Sequence, residues 1–168
     1  FRERLGKDAV IFRAMPNTPA AIGAGITAVK ASDGATDGQK QTVEDILSAC
    51  GDVVWLDDES QIDAVTAVSG SGPAYVFYLT EALTAAAKAV GLPDETAEKL
   101  AKATVIGSAR LIAESAETPA ELRRNVTTPN GTTAAALDVL MNEQTGFKPL
   151  TIRAVAAAKT RSEELSRA

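Results

Sequence analysis

Ala74-Tyr75-Val76-Phe77-Tyr78-Leu79-Thr80-Glu81-Ala82-Leu83-Thr84-Ala85-Ala86-Ala87-Lys88-Ala89-Val90 is apolar almost throughout, interrupted only by Thr80, Glu81, Thr84 and Lys88. It lacks the polar face that a surface helix turns to water. A helix apolar all round belongs at the centre of an assembly, and in a chain of 168 residues that favours burial by a second chain. Every segment from Gln61 onward keeps helical period. Ala97, Leu100, Ala101, Thr104, Val105, Ser108, Leu111 and Ile112 form one stripe on a helix from Asp94, and its small residues admit a close neighbour. Thr118-Pro119-Ala120-Glu121 is a capping box with Pro at the first helical position. Gly131 leads into a helix from Thr132 to Gln144, and Phe147 opens a last helix reaching about Arg167.

Before residue 60 the text is mixed. Ala9–Ala14 and Gly25–Lys30 read as strands between Pro and Gly punctuation. Thr36-Asp37-Gly38-Gln39 is a second capping box, opening a helix to about Cys50, with Cys50 as a small core residue and Gly51 as the stop. Val53–Leu56 reads as a short buried strand anchored by Trp55, and the acidic loop Asp57–Ser60 marks the boundary between the two kinds of text. Phe1-Arg2-Glu3-Arg4 reads as the middle of a helix, so the chain is expected to begin partway through a larger protein.

Composition narrows the chemistry. There is no histidine, which removes His-based triads, proton relays and most zinc sites. Cys50 stands alone, so no intrachain disulfide forms, and a cytoplasmic location is expected. The formal charge is −5, without basic runs, which argues against nucleic acid. No run approaches the ~20 apolar residues of a membrane span, and no signal-peptide core opens the chain.

Three turns stand out. Met15-Pro16-Asn17-Thr18-Pro19 follows a strand, and its prolines hold Asn17 and Thr18 outward; it is either a stiff turn or the lining of a cofactor pocket. Ser69-Gly70-Ser71-Gly72-Pro73-Ala74 is either a simple helix cap or a start bared by glycine for a ligand. Thr127-Thr128-Pro129-Asn130-Gly131-Thr132-Thr133 favours an anion site: unpaired amides at Gly131, Thr132 and Thr133 face a carboxylate or phosphate at the positive end of a helix. Its four threonines exceed what one cap needs. Gly23-Ala24-Gly25-Ile26-Thr27-Ala28 fits a loose dinucleotide pattern but leads into a strand, where the fingerprint must open a helix.

In this order the three turns resemble the hallmarks of the pyrroline-5-carboxylate reductase family, the most specific being Pro119–Glu143 with Asn125-Val126 before the threonine turn. The resemblance covers essentially the whole chain. It implies an α/β remnant of a Rossmann domain, residues 1–57, followed by an all-α helical dimerisation and substrate-binding domain, residues 58–168. It implies NADPH- or NADH-dependent reduction of 1-pyrroline-5-carboxylate to proline by a homodimer or larger homo-oligomer, with no metal, nucleic acid or membrane. The main cofactor-binding elements would lie upstream. Within this chain the resemblance assigns Met15, Pro16, Asn17, Thr18, Gly72 and Pro73 to the nicotinamide wall. Ser71, Thr128, Gly131, Thr132 and Thr133 go to the substrate, with Thr133 hydrogen-bonding the ring nitrogen. Asn130 stands where many members carry Gly, and Asn tolerates the left-handed backbone better than most residues.

Two rivals differ in testable ways. A β-hydroxyacid dehydrogenase would need a Lys and an Asn at the positions of Val76 and Thr80, and without that lysine it has no acid/base group. A purely structural helical oligomerisation domain would bind neither proline nor any other small carboxylate.

Overall fold

The computed structural model describes Arg4, Gly6 and residues 8–167. Apart from Arg4, the helix expected at Phe1–Arg4 lies outside the described residues. The chain forms two compact units, one running to Pro73 and taking in the chain from Val155 onward, the other Ala74–Ala154.

The first unit is built on three strands, β1 (Phe12–Met15), β2 (Gly25–Ala31) and β3 (Gly51–Trp55), in the order β1-β2-β3. β1 runs antiparallel to β2, with Phe12 opposite Ala31 and Met15 opposite Ala28. β3 runs parallel to β2, with Gly25 opposite Gly51 and Val29 opposite Trp55. A strand paired on both sides is the natural core, and Thr27, Ala28 and Val29 are almost wholly buried. As an edge strand, β3 alternates half-buried and exposed residues, so the expected continuously buried strand is corrected: Val54 is exposed. Trp55 is half-buried, meets Phe12 edge-on with ring centroids 6.1 Å apart, and donates from Nε1 to Glu44 Oε2 at 2.9 Å.

Helix α1 (Asp37–Leu47) opens on the expected capping box. The Thr36 hydroxyl accepts from the Gln39 amide, and the Thr36 amide donates to Gln39 Oε1. The helix tightens into a 3-10 turn over Ser48–Cys50. That change of period takes Cys50 off the covered face, so it is exposed rather than a core residue. The loose glycine motif ends in β2, as its strand context requires. Helix α2 (Gln61–Val65) buries Ile62. Its Asp63 accepts from Ser162 Oγ at 2.6 Å and from Ser166 Oγ at 3.3 Å, both near the chain's end.

The second unit contains most of α3 (Gly72–Ala89), α4 (Asp94–Glu114), α5 (Pro119–Asn125), α6 (Thr132–Leu140) and the start of α7 (Phe147–Arg167). Lys88 Nζ lies 3.3 Å from Asp94 Oδ2 across the α3–α4 turn. α5 carries the Thr118–Glu121 capping box in full. α6 ends at Leu140, four residues before the expected Gln144. The cause is local: Asn142 Oδ1 accepts from the Gln144 amide, the Thr145 amide and the Thr145 hydroxyl, and this turn competes with the helix.

Burial in this unit is thin. Of the α4 stripe only Ala97 and Ala101 are buried, while Leu100, Leu111 and Ile112 are about half exposed. On α3, Phe77 is 61% and Tyr78 69% exposed. Between α3 and α4 runs a cavity of about 830 Å³ whose lining includes Val76, Phe77, Thr84, Val105, Ile106 and Ala109. Among the described residues no helix is long and apolar enough to cross a membrane.

Candidate active site

Two prolines and an Asn shape the turn after β1. Asn17 is extended (φ −122°, ψ 167°) and precedes a 3-10 turn over Thr18–Ile22 with Pro19 in its first turn. The Asn17 side chain was expected to point outward. Instead its Oδ1 accepts from the Ile26 amide at 3.0 Å, tying the turn to β2 beside the buried Thr27. Pro16 and Thr18 remain exposed, and Met15 is half-buried.

The Ser69–Ala74 stretch is not the free helix start that its glycines implied. α2 runs into a π-helical turn over Thr66–Gly70, and Ser71, itself helical (φ −84°, ψ −20°), leads directly into α3. The Ser71 amide donates to the Thr66 carbonyl at 2.8 Å, and the Ser69 hydroxyl donates back to the Val65 carbonyl at 3.2 Å rather than capping α3. Single π turns inside α-helices occur frequently at functional sites. Met15 and Gly70 come together here: a Cβ built on Gly70 would stand 2.6 Å from Met15 Cε and 3.7 Å from Thr66 Cγ2. Gly72, by contrast, has nothing within 4 Å of where a Cβ would stand, and Ser71, Gly72 and Pro73 are half-buried. Gly70 was missed as a contact residue. The available signal was a glycine held inside helical period, which costs helix stability unless something needs the space.

The third turn keeps its shape and loses one expected donor. Asn130 has φ 58°, the one left-handed non-glycine among the described residues, so the turn accepts Asn. The Gly131 amide donates to the Thr128 carbonyl at 3.0 Å and is therefore not unpaired. Glycine is needed here for room: a Cβ on Gly131 would meet Thr128 Oγ1 at 2.3 Å. The Thr127 hydroxyl is also taken, donating to the Arg123 carbonyl at 2.6 Å. The Thr132 and Thr133 amides precede the first helical bond, from the Ala135 amide to the Gly131 carbonyl at 3.2 Å. No acceptor among the described residues serves these two amides or the Thr133 hydroxyl. Thr128 and Thr132 are exposed and Thr133 is half-buried. Two adjacent amides at the positive end of α6, beside an available hydroxyl, make an anion-accepting geometry.

Residues 59–165 match the family model described as pyrroline-5-carboxylate reductase dimerisation. The chain belongs to the pyrroline-5-carboxylate reductase family. It is 47% identical over 162 residues to a pyrroline-5-carboxylate reductase of Pseudomonas aeruginosa, covering 96% of this chain and 59% of that relative. It is 49% identical to one from Synechocystis, covering 95% of this chain and 59% of that relative. A Coxiella burnetii pyrroline-5-carboxylate reductase structure superposes with a TM-score of 0.91 at 44% identity, over 98% of this chain and 60% of that one. A Plasmodium falciparum pyrroline carboxylate reductase structure, with NADP bound, gives a TM-score of 0.83 at 32% identity, over 97% and 64%. The chain thus spans about three-fifths of the length of the reductases it matches. The small three-stranded sheet followed by helices is the architecture that the family resemblance implied.

Proposed function

We propose that this chain is the substrate-binding and dimerising part of an NADPH- or NADH-dependent reductase that converts 1-pyrroline-5-carboxylate to L-proline in the cytoplasm. The observation that carries the substrate half is the pair of unpartnered amides at Thr132 and Thr133 with the Thr133 hydroxyl beside them. The amides hold the carboxylate and the hydroxyl orients the ring nitrogen. Gly131 supplies the close backbone approach rather than a free donor, and Thr128 borders the substrate. Bound NADPH or NADH supplies the hydride. The open space over Gly72 beside half-buried Pro73 leaves room for a ligand, and the reading assigns Met15, Pro16, Asn17 and Thr18 to the nicotinamide as well. A chain without histidine suits this chemistry: hydride adds to the carbon of the iminium, the substrate's protonated imine, the C=N π pair becomes the lone pair of the amine nitrogen, and no oxygen needs to be protonated by a strong acid. The protein's work is then to hold, orient and exclude water.

The domain division at residues 57 and 58 belongs to the same reading and is supported by the dimerisation-family match beginning at residue 59. Homo-oligomerisation is supported by that match and by the bare apolar faces of α3 and α4. The cytoplasmic placement is supported by a chain with a single cysteine. Titrating L-proline into the chain while following its melting tests the substrate half. A saturable rise in Tm is expected, abolished by Gly131→Pro and retained in Thr132→Ala. No shift at tens of millimolar proline would favour the purely structural oligomerisation domain.

A further inference from the structure

We propose that Glu81 and Lys102 form a reciprocal ion pair between two copies of this chain, the Glu81 of each facing the Lys102 of the other, and that the pair sets the register of the dimer. This rests on the reading that a second copy covers the α3–α4 face. The groove between these helices carries four charged side chains on a largely apolar lining: Glu81, Lys88, Glu98 and Lys102. Lys88 Nζ lies 3.3 Å from Asp94 Oδ2 and 3.9 Å from Glu98 Oε1, so Lys88 and Glu98 are matched within one copy. Glu81 and Lys102 are exposed and have no ion-pair or hydrogen-bond partner among the described residues. Neither charge is out of place while water reaches it. A second copy seated on the exposed Val76, Phe77 and Ile106 takes that water away. A charge so stripped is costly unless an opposite one meets it. The lining leaves one acid and one base over, and a two-fold interface satisfies both at once, because every contact in it is made twice with the roles exchanged. The groove has room for this arrangement. The Lys88–Glu98 contact fixes α3 against α4, which run back along each other from their short turn. Lys102 lies one turn along α4 from Glu98 and Glu81 two turns along α3 from Lys88, so the two stand on opposite walls, about 5 Å apart along the groove. A two-fold axis in the plane of the interface, bisecting the line between them, sets each opposite its counterpart in the other copy.

The test is charge reversal in the whole chain, read by sedimentation velocity at several concentrations, with circular dichroism as the check on folding. Glu81→Lys sets lysine against lysine at two places in the dimer and should raise its Kd about a hundred-fold or more. Lys102→Glu sets acid against acid and should do the same. The double variant Glu81→Lys/Lys102→Glu should dimerise as the unaltered chain does. The decisive sample is an equimolar mixture of the two single variants, one of them labelled at the exposed Cys50. Each is mismatched with itself, but the two match each other at both contacts, so mixed dimers should form where neither variant self-associates. A double variant that dimerises beside a mixture that does not would place the pair inside one chain and overturn the proposal. Single variants that dimerise like the unaltered chain, or a double variant left monomeric, would overturn it as well. If the single variants are unfolded alone, folding gained on mixing supports the pair, and a mixture that stays unfolded overturns it. A folded, monomeric unaltered chain would instead overturn the reading of the face as a homodimer surface, and the pair with it.

Discussion

Val29 in β2 and Phe77 in α3 are both large apolar residues on regular elements, yet the first is fully buried and the second 61% exposed. β2 has a neighbour on each side, so its residues are covered by the chain that carries them. Helices α3 and α4 bury only alanines, Ala97 and Ala101, and leave Phe77, Tyr78, Leu111 and Ile112 in the open. An exposed apolar face on this scale marks an interaction surface. β2 is covered by its own chain, whereas α3 and α4 leave an apolar face bare, and the proposed occupant of that face is a second copy.

Phe77→Ala puts that contrast to its hardest test. If a second copy covers Phe77, truncation should cost about 3–5 kcal/mol of dimer stability, as for a core aromatic. A residue facing water would cost within about 0.5 kcal/mol. Urea unfolding at several protein concentrations reads the difference, since a dimer's midpoint moves with concentration. Val29→Ala is the counterpart in the closed unit. It should cost about 2 kcal/mol without altering the dimer-to-monomer balance seen in sedimentation.

Thr133→Val sharpens the comparison at the site. In the complete reductase it should lower kcat/KM by about ten- to a hundred-fold, the worth of one hydrogen bond to a charged group. Thr133→Ser should retain most activity. Equal rates for all three proteins would reduce Thr133 to a helix-start residue.

The two capping boxes give the smallest and most specific contrast. Thr36 pairs with neutral Gln39, whereas Thr118 pairs with ionisable Glu121. Bonds donated by the Thr118 hydroxyl, and then by its amide, hold the Glu121 carboxyl below its usual value of 4.5. A lowered folded-state pKa stabilises above the unfolded value, and that stability is lost as pH falls through the folded one. Acidification below about pH 4.5 should therefore weaken the α5 cap, whereas the Thr36–Gln39 cap of α1 has no carboxyl to protonate, and Glu121→Gln should remove the pH dependence of the α5 cap. Thr36→Ala should cost about 1 kcal/mol at any pH. Unfolding curves of the variants between pH 3 and 7 check both.

What was legible in the sequence was local. Both capping boxes, the last helix and the left-handed Asn130 follow from residues within a few positions of one another. What was missed depends on partners distant in sequence or on a shift of helical phase. Asn17 turns inward because the Ile26 amide awaits it on the neighbouring strand. Gly70, at the end of the π turn Thr66–Gly70, meets Met15, which lies more than fifty residues earlier. Gly131 was read as a donor when its amide closes the turn and its bare Cα clears Thr128. Cys50 left the core when α1 tightened into a 3-10 turn.

Sedimentation equilibrium of the chain at micromolar concentration tests the central claim most directly. A folded species of twice the 17.4 kDa chain mass, or a larger even multiple, is expected. A folded, cooperatively melting monomer of 17.4 kDa, with Phe77 and Tyr78 left in water, would contradict it.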